Sequence, residues 1–140
     1  MVKVGIISVG DELLNGFTID TNSSYIAEQI CPYDELDMIS KVTVKDNLEH
    51  IKSSLASHIK NNFKILFITG GLGPTHDDVT RKALCDFFDS PLVLYKSYYL
   101  ELKERFKNKK IGNSSYIENQ SMILELSKPI INKNGIALGM

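Results

Sequence analysis

Short apolar runs alternate along this chain with stretches in which apolar residues recur every three or four positions. The run at residues 65–68 (Ile-Leu-Phe-Ile) is unbroken and is followed closely by glycines, which is typical of a strand buried on both faces. Further strands are predicted at residues 3–9, 38–44, 91–95 and 129–132. Helices are predicted between them from spacings such as Leu48, Ile51, Leu55 and Ile59. This order predicts an α/β fold, a three-layer α/β/α sandwich with a mostly parallel sheet.

The stretch at residues 69–81, TGGLGPTHDDVTR, joins the predicted strand at 65–68 to a predicted helix. Ligands of open α/β sheets bind at the carboxyl ends of strands, where this stretch lies. Its glycines Gly70, Gly71 and Gly73 let a ligand approach the backbone closely, and the start of the following helix offers unpaired N–H groups. A phosphate or carboxylate ligand is therefore expected.

Acidic residues follow three of the predicted strands. Asp11 and Glu12 come after the first strand, Asp46 after the second, and Asp78 in the glycine-rich stretch. Because the carboxyl ends of parallel strands share one edge of a sheet, these acids are expected to lie close together. Carboxylates would repel a bare phosphate, so a bridging divalent cation such as Mg²⁺ is expected.

Each part of this pattern also has a purely structural interpretation. Thr75 with Asp78, and Asp46 with Glu49, fit capping boxes, in which the side chains only start a helix. Asp20 fits the cap of the helix that follows it. Both kinds of interpretation stay open at this point.

The composition limits the classes of partner. The 140 residues suit one domain with a substantial core, and the net charge of −1 gives no general attraction to nucleic acid or to an anionic membrane. No apolar run reaches transmembrane length. Cys31 and Cys85 have no paired spacing, so free thiols and a cytoplasmic location are expected. His50 and His58 are expected outside the apolar stripe of their helix, and a zinc site is not expected.

The sequence TGGLGPTHDDVT resembles the signature of the MoaB/Mog-like domain, often called the molybdopterin-binding domain. Its form with leucine after Gly-Gly and with T-H-D-D is similar to the CinA type, the amino-terminal domain of the competence/damage-inducible proteins. Residues 8–16 look like the S-x-G-D-E-L-L-x-G opening of that type, and residues 20–22 look like its D-T-N. Asn119 and Gln120 resemble a later pair, so the resemblance runs along nearly the whole chain.

The resemblance implies an α/β/α sandwich with a pocket at the strand ends. Mog-type relatives bind molybdopterin, and some adenylylate it with Mg²⁺ and ATP; the CinA type is associated with metal-dependent cleavage of the pyrophosphate of ADP-ribose. The functional acids of the family match Asp46 and Asp78 here. Members of the family assemble as dimers or trimers, so a homo-oligomer is expected.

From the residues and the resemblance together, Asp78 and Asp46 are the candidate catalytic and metal-binding residues. The candidate ligand-binding residues are Gly10, Asp11, Glu12, Asp20, Asn22, Thr69, Gly70, Gly71, Leu72, Gly73, Pro74, Thr75, Asn132 and Gly135. The leading hypothesis is a metal-dependent pyrophosphatase acting on an ADP-ribose-like nucleotide. The alternatives are molybdopterin binding or adenylylation, and a non-catalytic module for ligand binding or assembly.

The last nine residues depart from the family pattern. Where the family has a segment like N-P-x-G-T-A-P-G-F, this chain has Asn-Lys-Asn-Gly-Ile-Ala-Leu-Gly-Met at 132–140, so both prolines and the threonine are replaced. The family domain normally continues with a further strand and helix. A single domain over residues 1–140, truncated at its carboxyl end, is therefore expected.

Overall fold

The computed structural model describes residues 1–73, 78–107 and 114–140. The chain forms two compact units, Met1–Gly71 and Leu72–Met140. The first unit contains β1 (Val2–Val9), α1 (Asp11–Leu14), α2 (Thr21–Ile30), β2 (Leu36–Val44), α3 (Leu48–Lys60) and β3 (Ile65–Thr69). The second contains α4 (Thr80–Phe88), β4 (Leu92–Leu94), α5 (Lys96–Phe106), α6 (Ser114–Gln120) and β5 (Met122–Leu124).

The first unit is an α/β arrangement with a parallel sheet of three strands in the order β2-β1-β3, flanked by helices. β1 is the central strand, and its residues from Val4 to Val9 are buried. The three predicted strands of this unit are confirmed with small shifts in their ends. All three strands run in the same direction, so their carboxyl ends lie at one edge of the sheet.

His58 connects α3 to the edge strand β2. Its ring is buried; Nδ1 lies 2.7 Å from the carbonyl oxygen of Ser54, and Nε2 lies 3.0 Å from Oγ of Ser40. The ring also packs edge-on against Phe63, with centroids 4.7 Å apart. The expectation that His58 lies outside the buried face is therefore wrong, because a strand hydroxyl and a helix carbonyl satisfy both ring nitrogens.

The second unit holds a separate sheet in which β4 and β5 pair antiparallel. The expected strand at residues 129–132 is wrong: the fifth strand is Met122–Leu124, and Ile130 makes only a single bridge to Gly139. Pro129 has no N–H to offer a sheet. Asn132 accepts hydrogen bonds from the N–H groups of Asn134 and Gly135, which folds this segment into a turn.

The core of the second unit gathers side chains from its helices, from β5 and from the last loop. Its buried members are Tyr98, Leu102, Ile117, Ile123 and Leu138. The hydroxyl of Tyr98 donates to the carbonyl oxygen of Ile136 at 2.9 Å, so this deeply placed polar atom has a partner. Among residues 1–73, 78–107 and 114–140, no helix combines the length and apolar character needed to cross a membrane.

Candidate functional site

Asp11 and Asp46 lie side by side at the carboxyl ends of β1 and β2. The backbone N–H of Asp11 donates to Oδ2 of Asp46 at 3.0 Å, and the N–H of Asp46 donates to Oδ1 of Asp11 at 3.4 Å. After a register shift between Val4 and Gly5, the two strands pair continuously up to Val9 and Val44, which brings the two residues together. We call Asp11 and Asp46 the acid pair. The structure thus brings together these two of the acids singled out from the sequence.

Asp46 does not cap the helix that follows it. The N-cap of α3 is Asn47, whose Oδ1 accepts from the N–H groups of Glu49 at 2.9 Å and His50 at 3.1 Å. The capping interpretation of Asp46 with Glu49 is therefore wrong. Because Asn47 satisfies the first turn of α3, the Asp46 carboxylate can serve the neighbouring strand end instead.

Gly10 and Glu12 shape the entry to the acid pair. The N–H of Gly10 donates to the carbonyl oxygen of Val44 at 3.1 Å, which continues the pairing of β1 with β2 by one residue. A Cβ on Gly10 would lie 2.7 Å from Oε1 of Glu12, so the Glu12 carboxylate folds back over the glycine. A larger residue at position 10 would displace this third carboxylate.

Asp20 is held by the fold rather than left open to a ligand. Its Oδ2 accepts from the hydroxyl of Ser8 at 2.5 Å, and its Oδ1 accepts from the N–H of Ser23 at 3.0 Å as the N-cap of α2. Burial raises the pKa of Asp20, but the hydrogen bonds from Ser8 and Ser23 and the charge of Lys41 outweigh it, so the pKa lies below its usual value. Asn22 is exposed in the first turn of α2.

The glycine turn after β3 packs directly on the end of β1. Thr69 is the last residue of β3, and Gly70 and Gly71 follow with φ of 89° and 61°. A Cβ on Gly70 would collide with the carbonyl oxygen of Val9. Both the left-handed backbone and this close approach require glycine at position 70. The turn therefore lies against the strand end that leads into the acid pair.

In the second unit, a buried arginine binds the backbone of Leu72, which belongs to the glycine-rich stretch at residues 69–81. The Arg81 side chain, only 5% exposed, donates from Nη2 to the carbonyl oxygen of Leu72 and from Nη1 to that of Asn119. Gln120 also donates to the carbonyl oxygen of Leu72, at 3.3 Å. Burial lowers the pKa of Arg81, and the charge of Asp78 opposes that shift. The only signal of this role in the sequence is a positive charge three residues after Asp78.

Asp78 lies against Gly73. A Cβ on Gly73 would meet Oδ1 of Asp78 at 2.7 Å and would collide with Oδ2. The helix begins at Thr80, with Val79 as its N-cap and no side-chain capping bond, so Asp78 precedes the helix. The capping box of Thr75 with Asp78 is therefore wrong for α4, because Asp78 lies before the first helical residue. Pro74 and Thr75, predicted to bind ligand, lie outside the described residues.

Asn132 and Gly135 belong to the last loop of the second unit. Asn132 Oδ1 accepts from the N–H groups of Asn134 and Gly135, at 3.1 and 2.7 Å, and its Nδ2 donates to the carbonyl oxygen of Ala137 at 3.1 Å. The side chain of Asn132 thus binds its own loop at both ends. This geometry explains the asparagine and the glycine as parts of a turn.

With this geometry established, comparison with known proteins decides the family. A family model described as a probable molybdopterin binding domain matches residues 5–138. The chain belongs to this MoaB/Mog-like family. The resemblance drawn from the glycine-rich signature is confirmed.

Relatives and solved structures agree with that assignment. A CinA-like protein of Fusobacterium nucleatum is 42% identical over 114 residues, which make up 81% of this chain and 28% of that protein. The crystal structure of CinA from Thermoplasma acidophilum matches 98% of this chain and 79% of that chain, with a TM-score of 0.83 at 23% identity. MoaB from Thermus thermophilus matches 89% of this chain and 79% of its own, with a TM-score of 0.59 at 22% identity. Both structures support the MoaB/Mog-like fold.

The chain spans only about a third of the length of the curated relatives that it matches, from 28% to 32% for the first two of them. The similarity therefore concerns one MoaB/Mog-like domain.

The acid pair of this MoaB/Mog-like domain has the donor chemistry that a hard divalent cation prefers. Within the part of the chain that the structure describes, no group of three or more histidine, cysteine, aspartate or glutamate side chains is placed to form a metal cage. Mg²⁺ does not need one, because it keeps several waters and is commonly held by one or two carboxylates together with substrate phosphates. Asp11 and Asp46 fit that mode of binding.

A groove with a volume of about 520 Å³ lies between the end of β2 and α3. One wall is a helical stripe of hydroxyl and imidazole side chains: His50, Ser53, Ser54, Ser57 and His58. The other wall comes from Leu14 and from the last residues of β2 through Lys45. The only signal of this groove in the sequence is the recurrence of these polar side chains every three to four residues along α3.

Proposed function

We propose that this MoaB/Mog-like domain binds a phosphorylated nucleotide-type ligand at the carboxyl ends of β1, β2 and β3. We further propose that it hydrolyses the pyrophosphate bond of that ligand with a divalent metal ion, with ADP-ribose as the representative substrate. The observation that carries the proposal is the acid pair, in which Asp11 and Asp46 exchange hydrogen bonds and present two carboxylates at one point.

The glycine turn supports the binding of a diphosphate. Gly70 and Gly71 adopt left-handed backbone conformations and carry no Cβ atom of their own. A phosphate can therefore approach the backbone of this turn more closely than it could approach any other residue type. The turn packs on Val9, one residue before Gly10 and two before Asp11, so its proposed phosphate contacts belong to the same strand ends as the acid pair.

In the proposed reaction, water attacks one phosphorus atom, the bridging P–O bond breaks, and AMP and ribose 5-phosphate leave. A divalent ion, when bound, neutralises charge on the diphosphate and acidifies the attacking water. Asp46 accepts a proton from that water, while the N–H of Asp11 fixes the orientation of the Asp46 carboxylate. Asp78 keeps its proposed catalytic and metal-binding role through its match to the acid of the family signature.

The test is the incubation of the protein with ADP-ribose and Mg²⁺, Mn²⁺ or Co²⁺, followed by chromatographic detection of AMP. Asp46→Asn keeps the shape of the side chain and removes its charge, so AMP formation should fall by about 100-fold or more. Asp78→Asn is expected to do the same. Asp34→Asn, an exposed aspartate before β2, is the matched control and should keep full activity. Equal rates for Asp46→Asn and Asp34→Asn would remove Asp46 from the mechanism.

Molybdopterin binding or adenylylation is the second candidate function, because the matching family model is described by that ligand. A pterin titration followed by fluorescence, with and without ATP and Mg²⁺, separates it from the hydrolase. Tight pterin binding without release of AMP from ADP-ribose would favour it. Binding of neither ligand would favour the third candidate, a non-catalytic module. Assembly into a dimer or trimer, and a cytoplasmic location, stay predictions; light scattering measures the first.

A further inference from the structure

The segment between the acid pair and α2 exposes two large apolar side chains. Phe17 is 85% exposed and Ile19 is 83% exposed, and they are separated by one residue. Both belong to residues 16–19, which we call the apolar tip. An aromatic ring held this far into water gains nothing from the core of its own domain. Its exposure calls for a contact that the fold itself does not supply.

The apolar tip is anchored at one end to Glu12, which follows Asp11 of the acid pair, and at the other end to β1. The N–H groups of Phe17 and Thr18 both donate to the carbonyl oxygen of Glu12, at 3.0 and 3.2 Å. Gly16, with φ of 75°, makes the turn that lets the chain fold back on α1. At the other end, Ile19 precedes Asp20, whose carboxylate is bound to Ser8 in β1. These bonds hold the backbone on either side of Phe17 in place, so its ring is presented from an anchored turn.

The size of the tip decides between its possible occupants. A stable interface with a second protein buries about 800 Å² on each partner, whereas one aromatic side chain offers roughly 150–250 Å². Phe17 and Ile19 together fall well short of a protein interface. The face of one phenyl ring is, however, the right size for one planar heterocycle, which can stack on it. The same loop carries Asp11, the proposed neighbour of the diphosphate.

We propose that Phe17 is the platform on which the planar heterocycle of the phosphorylated ligand stacks. This inference rests on the proposed function and deepens it, because it assigns the base end of the ligand to the apolar tip and the diphosphate end to the acid pair and glycine turn. The ligand class then has to contain both a phosphate and a flat aromatic ring system. Ribose 5-phosphate and inorganic pyrophosphate fulfil only half of that requirement.

The test compares probes with and without a heterocycle by calorimetry in the presence of Mg²⁺: ADP-ribose, AMP and inorganic pyrophosphate. Phe17→Leu keeps an apolar side chain but removes the aromatic face, so it should weaken ADP-ribose and AMP binding by about tenfold and leave pyrophosphate binding unchanged. Tyr33→Leu, an exposed aromatic at the amino end of β2, is the matched control and should change neither. Because the chain contains no tryptophan, Phe17→Trp also introduces a single indole, whose fluorescence should change on stacking with AMP.

The outcomes separate this inference from the proposed function. If the unaltered protein binds none of the three probes, the proposed function is wrong. If it binds them and Phe17→Leu has the same affinities, the nucleotide site stands and the platform is wrong. If Phe17→Leu changes the sedimentation of the protein but no affinity, the tip is a self-association contact and the inference is overturned. A selective loss of AMP and ADP-ribose binding supports it.

Discussion

The loops that carry the candidate site residues are fixed by acidic side chains in one unit and by a basic side chain in the other. In Met1–Gly71, carboxylates accept hydrogen bonds from backbone N–H groups, as in the acid pair and in the Asp20 cap. In Leu72–Met140, a buried guanidinium donates to two backbone carbonyl oxygens and fixes Leu72 to the end of α6. In the acid pair, Asp11 is exposed and Asp46 is half-buried, whereas Arg81 is shielded from water.

This difference in charge and exposure predicts which side chains contribute most to stability. An exposed carboxylate that loses its charge can replace its hydrogen bonds with bonds to water, so the fold loses little. Removing a buried guanidinium takes a charged donor away from both carbonyl oxygens and leaves unfilled space in a packed region, which is costly. Substitutions in the acid pair should therefore reduce ligand binding and turnover more than stability. Substitution of Arg81 should mainly reduce stability. The predictions that follow test this contrast.

The largest effect is expected for Arg81→Met, which keeps much of the side-chain volume and removes all donors. The free energy of unfolding should fall by about 3 kcal/mol, because the carbonyls of Leu72 and Asn119 each lose a charged donor. The loss of unfolding free energy for Arg81→Lys should be smaller than for Arg81→Met but not zero, because an ammonium group cannot span two carbonyls as a planar guanidinium does. Urea titration measures both.

Arg105→Met is the control for that experiment. Arg105 donates to Glu101 at 2.9 Å and to the carbonyl oxygen of Gly135 at 3.3 Å, but it lies at the surface of α5. Its loss should cost less than about 1 kcal/mol. Equal losses for the two arginines would show that burial of the Arg81 guanidinium does not set its contribution, and the contrast between the units would fail.

A smaller but still substantial effect is expected for Gly70→Ala in the first unit. The new methyl group would collide with the carbonyl oxygen of Val9 in a backbone conformation that alanine already disfavours. The loss should be about 2 kcal/mol or more. Gly16→Ala separates the two causes, since Gly16 also has a positive φ of 75° but a methyl group there would meet nothing within 4 Å. It should lose only about 1 kcal/mol, the conformational part.

If the two alanine variants unfold at the same denaturant concentration, the close approach of the glycine turn to β1 contributes nothing. That result would weaken the argument that the turn is fixed against the strand end. Thermal melts followed by circular dichroism give an independent comparison of the same two proteins.

The parallel part of the fold was predictable because its signals are local. The runs at residues 3–9, 38–44 and 65–68 are apolar over whole strands, and helical spacing between them leaves a parallel sheet as the usual arrangement. β5 was not found because Met122–Leu124 is only three residues long and adjoins a helix, whereas residues 129–132 carry an apolar pair, Ile130 and Ile131, after a proline. Short strands lack the length over which a period of two can be recognised.

The candidate site was predictable only where sequence order fixed the positions. Asp11 and Asp46 follow adjacent parallel strands, so their meeting follows from topology. The burial of Arg81 and His58 does not follow from sequence order, because one hydrogen-bond partner of each side chain lies far along the chain, 38 residues away for Arg81 and 18 for His58. Asp46 and Asn47 are adjacent residues that can both cap a helix, and only the structure shows that Asn47 takes this position.

The smallest effect on stability, and the one with the clearest pH dependence, is expected for Asp20→Asn. Asparagine caps helices about as well as aspartate, so the substitution removes the charge and keeps the cap, and the loss near neutral pH should be below about 1 kcal/mol.

The pKa of Asp20 in the folded protein is lowered, which means that its charged form stabilises the fold above the pKa of the unfolded chain, about 3.9. This contribution disappears as the pH falls through the lower pKa of the folded state. Melting temperatures of the two proteins should therefore differ at pH 7 and converge in strong acid, with Asp34→Asn as an exposed control. Curves that stay parallel from pH 7 to strong acid would mean that the bonds from Ser8 and Ser23 do not favour the charged carboxylate, and that Asp20 stabilises the first unit through its shape rather than its charge.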